Sequence, residues 1–234
     1  MKPKTESEPA ATARVTTPTF NVAAAAIVAQ GDLVALEFTG KTADGKVFES
    51  TATGKPVIVA AGKGQVVRGL DEALVGARIG EKHSVKIPKE KAFGARNPEL
   101  VRLVSLQKFK EQGIEPFPGL AVEIDGARCR VQSVSGGRVR VDFNHDLAGV
   151  DVEYAFEVKK IFRDAKEKIT ALADELLAPF EARTELSGET VRVTVPAKAR
   201  KDADFIARKL RFISSAFQFV PEVKRVVFEE EYAA

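Results

Sequence analysis

Glu49 stands beside a dense apolar set in the stretch Gly45 to Leu74, made by Phe48, Val57, Val66, Val67 and Leu70. That stretch holds no cysteine, no histidine and no serine–base pair that could serve as a covalent nucleophile. A dry apolar surface with one carboxylate at its margin can still do chemistry. It can favour a less polar state over a more polar one without forming a bond to its substrate.

The remaining residues that could do chemistry are few and scattered. Cys129 is the single cysteine of the chain, so no intrachain disulfide forms and a reducing, cytoplasmic setting is expected. It lies in the alternating run Arg128, Cys129, Arg130, Val131, which makes it a buried strand thiol. The two histidines, His83 and His145, are far apart, and no CxxC or HxxxH spacing exists; no metal and no cofactor are expected. His83 reads as an exposed edge residue, and His145 as a structural hydrogen-bonding group. The glycine turn Gly62 to Gln65 precedes a helical segment but lacks the GxxxxGK[ST] spacing of a phosphate loop.

Positioning these residues requires elements that the pattern supplies. Leu33, Ala35 and Glu37 alternate with Val34, Leu36 and Phe38, the period-two pattern of a strand. AspGly at Asp44 and Gly45 marks a hairpin, Val47 and Phe48 open a second strand, and Val57 to Ala60 makes a third. Val66 to Val75 predicts a short amphipathic helix, and His83 to Pro88 another strand.

The 234 residues are 44% hydrophobic and 29% charged, with a net charge of only +3. Lysines and arginines alternate with acids throughout, so nucleic acid is not an expected partner. No apolar run approaches the about 18 residues of a membrane span. Residues 1–25 are rich in Pro, Thr, Ala and Ser and read as a disordered tail.

Taken in order, FTG (Phe38 to Gly40), DGKVFES (Asp44 to Ser50), GKGQVVRGLDEAL (Gly62 to Leu74), GEK (Gly80 to Lys82), IPKEKAFG (Ile87 to Gly94), NHDLAG (Asn144 to Gly149) and FEV (Phe156 to Val158) resemble FKBP-type peptidyl-prolyl cis-trans isomerases. The resemblance is to the SlyD-like branch, and to its long archaeal-type form with a C-terminal extension. It implies an α+β fold in which an antiparallel sheet wraps a short helix, built from residues 26–94 and 144–162. Residues 95–143 would be a mostly β insert-in-flap chaperone domain, and the spacing of their hairpin signals, AspGly at 125 and GlyGly at 136, fits that. Residues 163–234 read as a small αββαβ domain, through which a homodimer is expected.

Carried over by motif, the resemblance makes Phe38, Phe48, Glu49, Val66, Val67, Leu70, Phe93 and Phe156 the catalytic pocket. Val57 would join the pocket lining and Leu147 would close one wall. The Val67 N–H would hold a substrate carbonyl, and Glu49 takes the place usually held by Asp. Phe38 and Phe93 stand where the family commonly has Tyr, so a hydroxyl is lost at each. On the insert, Leu103, Phe109 and Phe117 are expected to be exposed and to bind unfolded chains.

The implied substrates are unfolded or nascent polypeptides containing Xaa-Pro. Rotation about that bond must break amide resonance, a barrier of about 18–20 kcal/mol. The twisted amide is less polar than the planar one, so an apolar pocket favours it. A binding-only chaperone without isomerase activity is the alternative, and a ribosome-associated factor is a third, weaker one.

Overall fold

Strand β1 (Leu33–Thr42) is the axis on which the first sheet is laid. In this computed structural model, which describes residues 27–230 apart from 53, 198, 200 and 201, β1 pairs along its whole length with β9 (Val152–Phe162). Its other edge is shared by β2 (Val47–Ser50) and β3 (Val57–Ala60). β4 (Lys82–Ile87) closes the sheet along β9, and all these pairings are antiparallel. The tail expected over residues 1–25 lies outside the described residues.

Helix α1 (Arg68–Leu74) lies against the inner face of this sheet. A Cβ added at Gly69 would come within 2.4 Å of the Ile87 side chain, so glycine lets the helix sit directly on β4. The helix is shorter than the Val66 to Val75 expected from sequence. Val67 and Val75 both hold extended backbone, the conformation β-branched residues favour, and they bound it. Phe38, Tyr154, Phe156, Val158 and Ile87 from the sheet meet Leu70 and Leu74 from the helix in one core. The α+β class expected from the sequence is the one found.

The insert forms a second sheet of β5 (Val101–Ser105), β6 (Ala121–Ile124), β7 (Ala127–Ser135) and β8 (Arg138–Asp142), in the order β5-β8-β7-β6. Helix α2 (Leu106–Glu111) follows β5. Both hairpin turns use left-handed backbone, at Asp125 and Gly126 and at Gly136 and Gly137, as two-residue hairpins require. The insert has its own small core of Phe109, Ile124, Cys129, Val131, Val139 and Val141.

At the root of the insert the buried Asp142 carboxylate accepts from Arg96, from Gln132 Nε2 at 3.0 Å, and from the backbone and side-chain nitrogens of Asn144 at 2.9 and 2.7 Å. Asn144 also exchanges two bonds of 2.9 Å with the Asn97 backbone, which clamps the outgoing chain to the returning one.

The C-terminal unit runs α3 (Ala165–Leu176), β10 (Arg183–Ser187), β11 (Thr190–Val195), α4 (Ala203–Phe219) and β12 (Arg225–Glu230). β10 and β11 form a hairpin, while β12 runs parallel to β11 after the α4 crossover. Asp164 caps α3, accepting from the Lys166 and Glu167 amides at 2.9 and 3.2 Å.

β1 is covered on both faces over its first half. Leu33 and Ala35 belong to the alternate set that faces away from α1, yet both are buried. Leu33 and Ala60, with Ile58 and Phe162 beside them, pack into the core of the C-terminal unit with Ile169, Leu172 and Val193. That unit therefore covers one end of the sheet's outer face.

Candidate functional site

The inner face of the first sheet carries the pocket residues by register. Phe38 stands opposite Phe156, and Phe156 stands opposite His83, so three rings share one row across β1, β9 and β4. Phe48 joins them through a bulge. Gly40 pairs with Glu49 and Lys41 with Val47, which leaves Phe48 without a partner on β1. A bulge re-aims side chains in this way beside active sites.

The structure brings Phe38, Phe48, Val57, Val66, Val67, Leu70, Phe93 and Phe156 into one apolar cluster, from stretches far apart in sequence. Leu70 is its buried floor; Phe48, Val57, Val66, Val67 and Phe93 are half-buried. The rings meet edge to face: Phe93 with Phe48 at 5.7 Å, and Phe48 with Tyr154 at 5.7 Å. Glu49 is exposed at the margin.

The loop before α1 is fixed by two polar side chains that the sequence reading did not single out. The buried Asp71 carboxylate accepts from the Gly62 amide at 2.9 Å and the Gly64 amide at 2.7 Å. Gln65 Oε1 accepts from the Ala60 amide at 2.6 Å. Both glycines have φ of +72°, which their missing Cβ permits. The amides that a phosphate would need are thus taken by Asp71, in keeping with the tight turn expected there. Val67 follows this loop as the residue before α1, and no acceptor for its N–H is found among the described residues. An acid one turn into a helix that follows a glycine loop was the available signal for Asp71.

Tyr154 is the other pocket residue that sequence reasoning missed. It is 1% exposed, and its ring lies 5.7 Å from those of Phe38 and Phe48. Its position two before Phe156 in an alternating strand was the legible signal, since residues i and i+2 share a face.

His145 stacks flat on Phe93, with centroids 4.5 Å apart, and its Nδ1 accepts from the Leu147 amide at 3.2 Å. Leu147 sits half-buried in that loop, outside the apolar cluster, and the Gly149 amide ties the loop to the Gly94 carbonyl at 2.8 Å. Arg130 of the insert forks onto Asp146 of the same loop at 2.9 and 2.6 Å. This guanidinium holds the Asp146 carboxyl below the usual aspartate range.

Two expectations are corrected. His83 is half-buried rather than exposed, because the register turns it inward to stack on Phe156 at 5.1 Å. Phe109 is 2% exposed and belongs to the insert's core, because α2 turns it inward among Ile124, Cys129 and Val139. Leu103 and Phe117 are exposed, at 63% and 57%. They lie on the insert, apart from the pocket cluster.

No helix among the described residues is long and apolar enough to cross a membrane, and no three potential metal ligands among them are grouped to hold an ion. An apolar cluster of half-buried rings with one carboxylate at its margin suits the seating of a small apolar ring while an adjoining amide bond turns.

Comparison with known proteins agrees with that chemistry. Residues 25–112 match the family described as FKBP-type peptidyl-prolyl cis-trans isomerase. Residues 102–147 match the FKBP26 IF domain, and residues 165–233 the FKBP26 C-terminal family. The FKBP-type 16 kDa peptidyl-prolyl cis-trans isomerase of Escherichia coli is 34% identical over 140 residues, 57% of this chain and 93% of that protein. The short-type peptidyl-prolyl cis-trans isomerase of Methanocaldococcus jannaschii is 28% identical over 148 residues, 58% of this chain and 94% of its own. SlyD of Aeromonas hydrophila is 33% identical over 146 residues, 61% of this chain and 68% of its own. The chain belongs to the FKBP-type peptidyl-prolyl cis-trans isomerases.

Proposed function

We propose that this isomerase acts on Xaa-Pro bonds of unfolded or nascent polypeptides, with the proline ring seated on Leu70 between Phe38, Phe48, Phe93 and Phe156. The observation that carries the reading is the single apolar cluster those side chains form, with Glu49 at its edge. Expelling water from around the amide raises the cost of its planar, more polar form. The free Val67 N–H donates to a substrate carbonyl and fixes the backbone of the peptide while the amide turns. Each 1.36 kcal/mol gained by the twisted state over the planar one is worth about tenfold in rate. A protease-coupled assay on an Xaa-Pro peptide tests the site: Leu70→Ser should cut kcat/KM strongly, and an unchanged value would remove this pocket from the reaction.

The insert is proposed to hold clients through Leu103 and Phe117, its two most exposed large apolar side chains among the described residues, on a unit whose core is made by Phe109, Ile124, Val131, Val139 and Val141. Replacing both by serine should lower suppression of a client's aggregation and the rate on a refolding protein, yet spare the rate on a peptide. Equal losses on both substrates would end this division of labour.

Pairing of two copies through the C-terminal unit is proposed on the outward side of α4. Ile206, Leu210 and Phe217 are exposed there at 63%, 59% and 47%, spaced to form one stripe.

A further inference from the structure

The chain has two tyrosines, and Tyr232 lies outside the described residues. Tyr154 lies at the centre of the pocket's wall of rings and is almost fully buried. A phenol in such surroundings keeps its ring among apolar groups and turns its hydroxyl to an acceptor.

The strand register says which acceptor. Gly40 of β1 stands opposite Tyr154 on β9 and opposite Glu49 on β2. Tyr154, Gly40 and Glu49 therefore form one row across three strands, and residues in such a row project from the same face. The middle position of the row has no side chain. A Cβ at Gly40 would meet Phe48 Cζ at 2.6 Å and Tyr154 Cε1 at 3.0 Å. The glycine thus leaves a lane over the β1 backbone, filled by the Phe48 and Tyr154 rings, between the strand of the phenol and the strand of the acid.

We propose that Tyr154 is a positioning residue of this active site: its hydroxyl donates to the Glu49 carboxylate and holds that acid at the mouth of the proline pocket. The proposal rests on the reading of Glu49 as the acid beside the twisting amide. It assigns to β9 the hydroxyl that Phe38 and Phe93 lack. Glutamate has one more rotatable bond than aspartate, so an acid of this length gains more from being tied in place.

The electrostatics agree. Burial first, and then the nearby Glu49 charge, hold the Tyr154 hydroxyl well above the usual phenol range. A Tyr buried for packing alone, away from any acid, would feel the first of these and not the second.

The test has a spectroscopic arm and a kinetic arm. In a Tyr232→Phe background Tyr154 is the one phenol of the chain, and its ionisation is read by tyrosinate absorbance. Glu49→Gln should lower the ionisation midpoint of Tyr154, and an unmoved midpoint overturns the pairing. In the peptide assay Tyr154→Phe, which keeps the ring and its packing, should lower kcat/KM by about tenfold, the effect of one charge-assisted hydrogen bond. Adding it to Glu49→Gln should cost nothing further, whereas additive losses overturn the proposal. Phe38→Tyr, whose ring stands 5.7 Å from that of residue 154 on the same face, should restore activity in the Tyr154→Phe chain. If Glu49→Gln moves the midpoint yet leaves the peptide rate unchanged, the pair stands, but the role of Glu49 at the amide falls and the positioning role with it.

Discussion

The Asp71 carboxylate grips the Gly64 amide at 2.7 Å, so the first turn of α1 holds the loop that leads into it. Loop and helix together present Val66, Val67 and Leu70 to the pocket. A buried acid accepting two backbone bonds is hard to replace. Asp71→Ala should lower unfolding free energy by about 2–3 kcal/mol in a urea titration, and Asp71→Asn by less. Both should lower peptide kcat/KM, because Val67 is placed by the same loop.

The contact between the insert and the pocket loop should depend on pH through Asp146. Arg130 holds that carboxyl below its ordinary value of 3.8, so the folded form binds its proton less readily than the unfolded form does. The contact is then fully present above pH 3.8 and is lost as pH falls through the lowered Asp146 value. The Arg130 Nε–H resonance, followed by NMR from neutral pH downward, should keep its bonded shift past that point. Asp146→Asn should abolish the transition.

Cys129 should be protected in the folded chain. Burial pushes its thiol above the ordinary value of 9.0, and it packs in the insert's core. Its alkylation at mildly alkaline pH should be at least about a hundredfold slower than in denaturant, with the rate set by opening of the insert. Above pH 9.0 the unfolded thiol ionises before the folded one, so rising pH should weaken the insert and speed labelling beyond the thiolate fraction alone.

The α4 stripe gives a test of assembly. Sedimentation equilibrium should report the mass of two chains, and Leu210→Glu should shift it to one. Leu103→Glu on the insert should leave the mass unchanged. A single-chain mass for the unaltered protein would remove the pairing.

Much of this architecture was legible from periodicity. The strands of the insert and the αββαβ order of the last segment follow from period-two runs, GlyGly and AspGly turns, and two amphipathic helical patterns. The shared cluster of Phe38, Phe93 and Phe156 was legible only from ordered motifs, since these residues cannot be joined by spacing alone. Phe109 was misread because a helix of six residues has fewer than two turns, too few to fix which side faces the core. Burial of Leu33 and Ala35 could not be read locally, because the cover comes from residues more than a hundred positions later. Tyr154 was within reach of the alternation rule, but its importance depends on Gly40, whose role appears only when three strands stand side by side.

The shared core at Leu33 and Ala60 has a consequence for how the molecule comes apart. The catalytic sheet and the C-terminal unit bury each other's apolar surface, so heat or denaturant meets them as a single cooperative block. Cutting the chain after Phe162 would not yield a smaller enzyme with the same skin; it would bare an oily patch on the back of the catalytic sheet. The insert, with its own core, is joined to that block by polar contacts, the Asp142 and Asn144 clamp at its root and the Arg130–Asp146 pair.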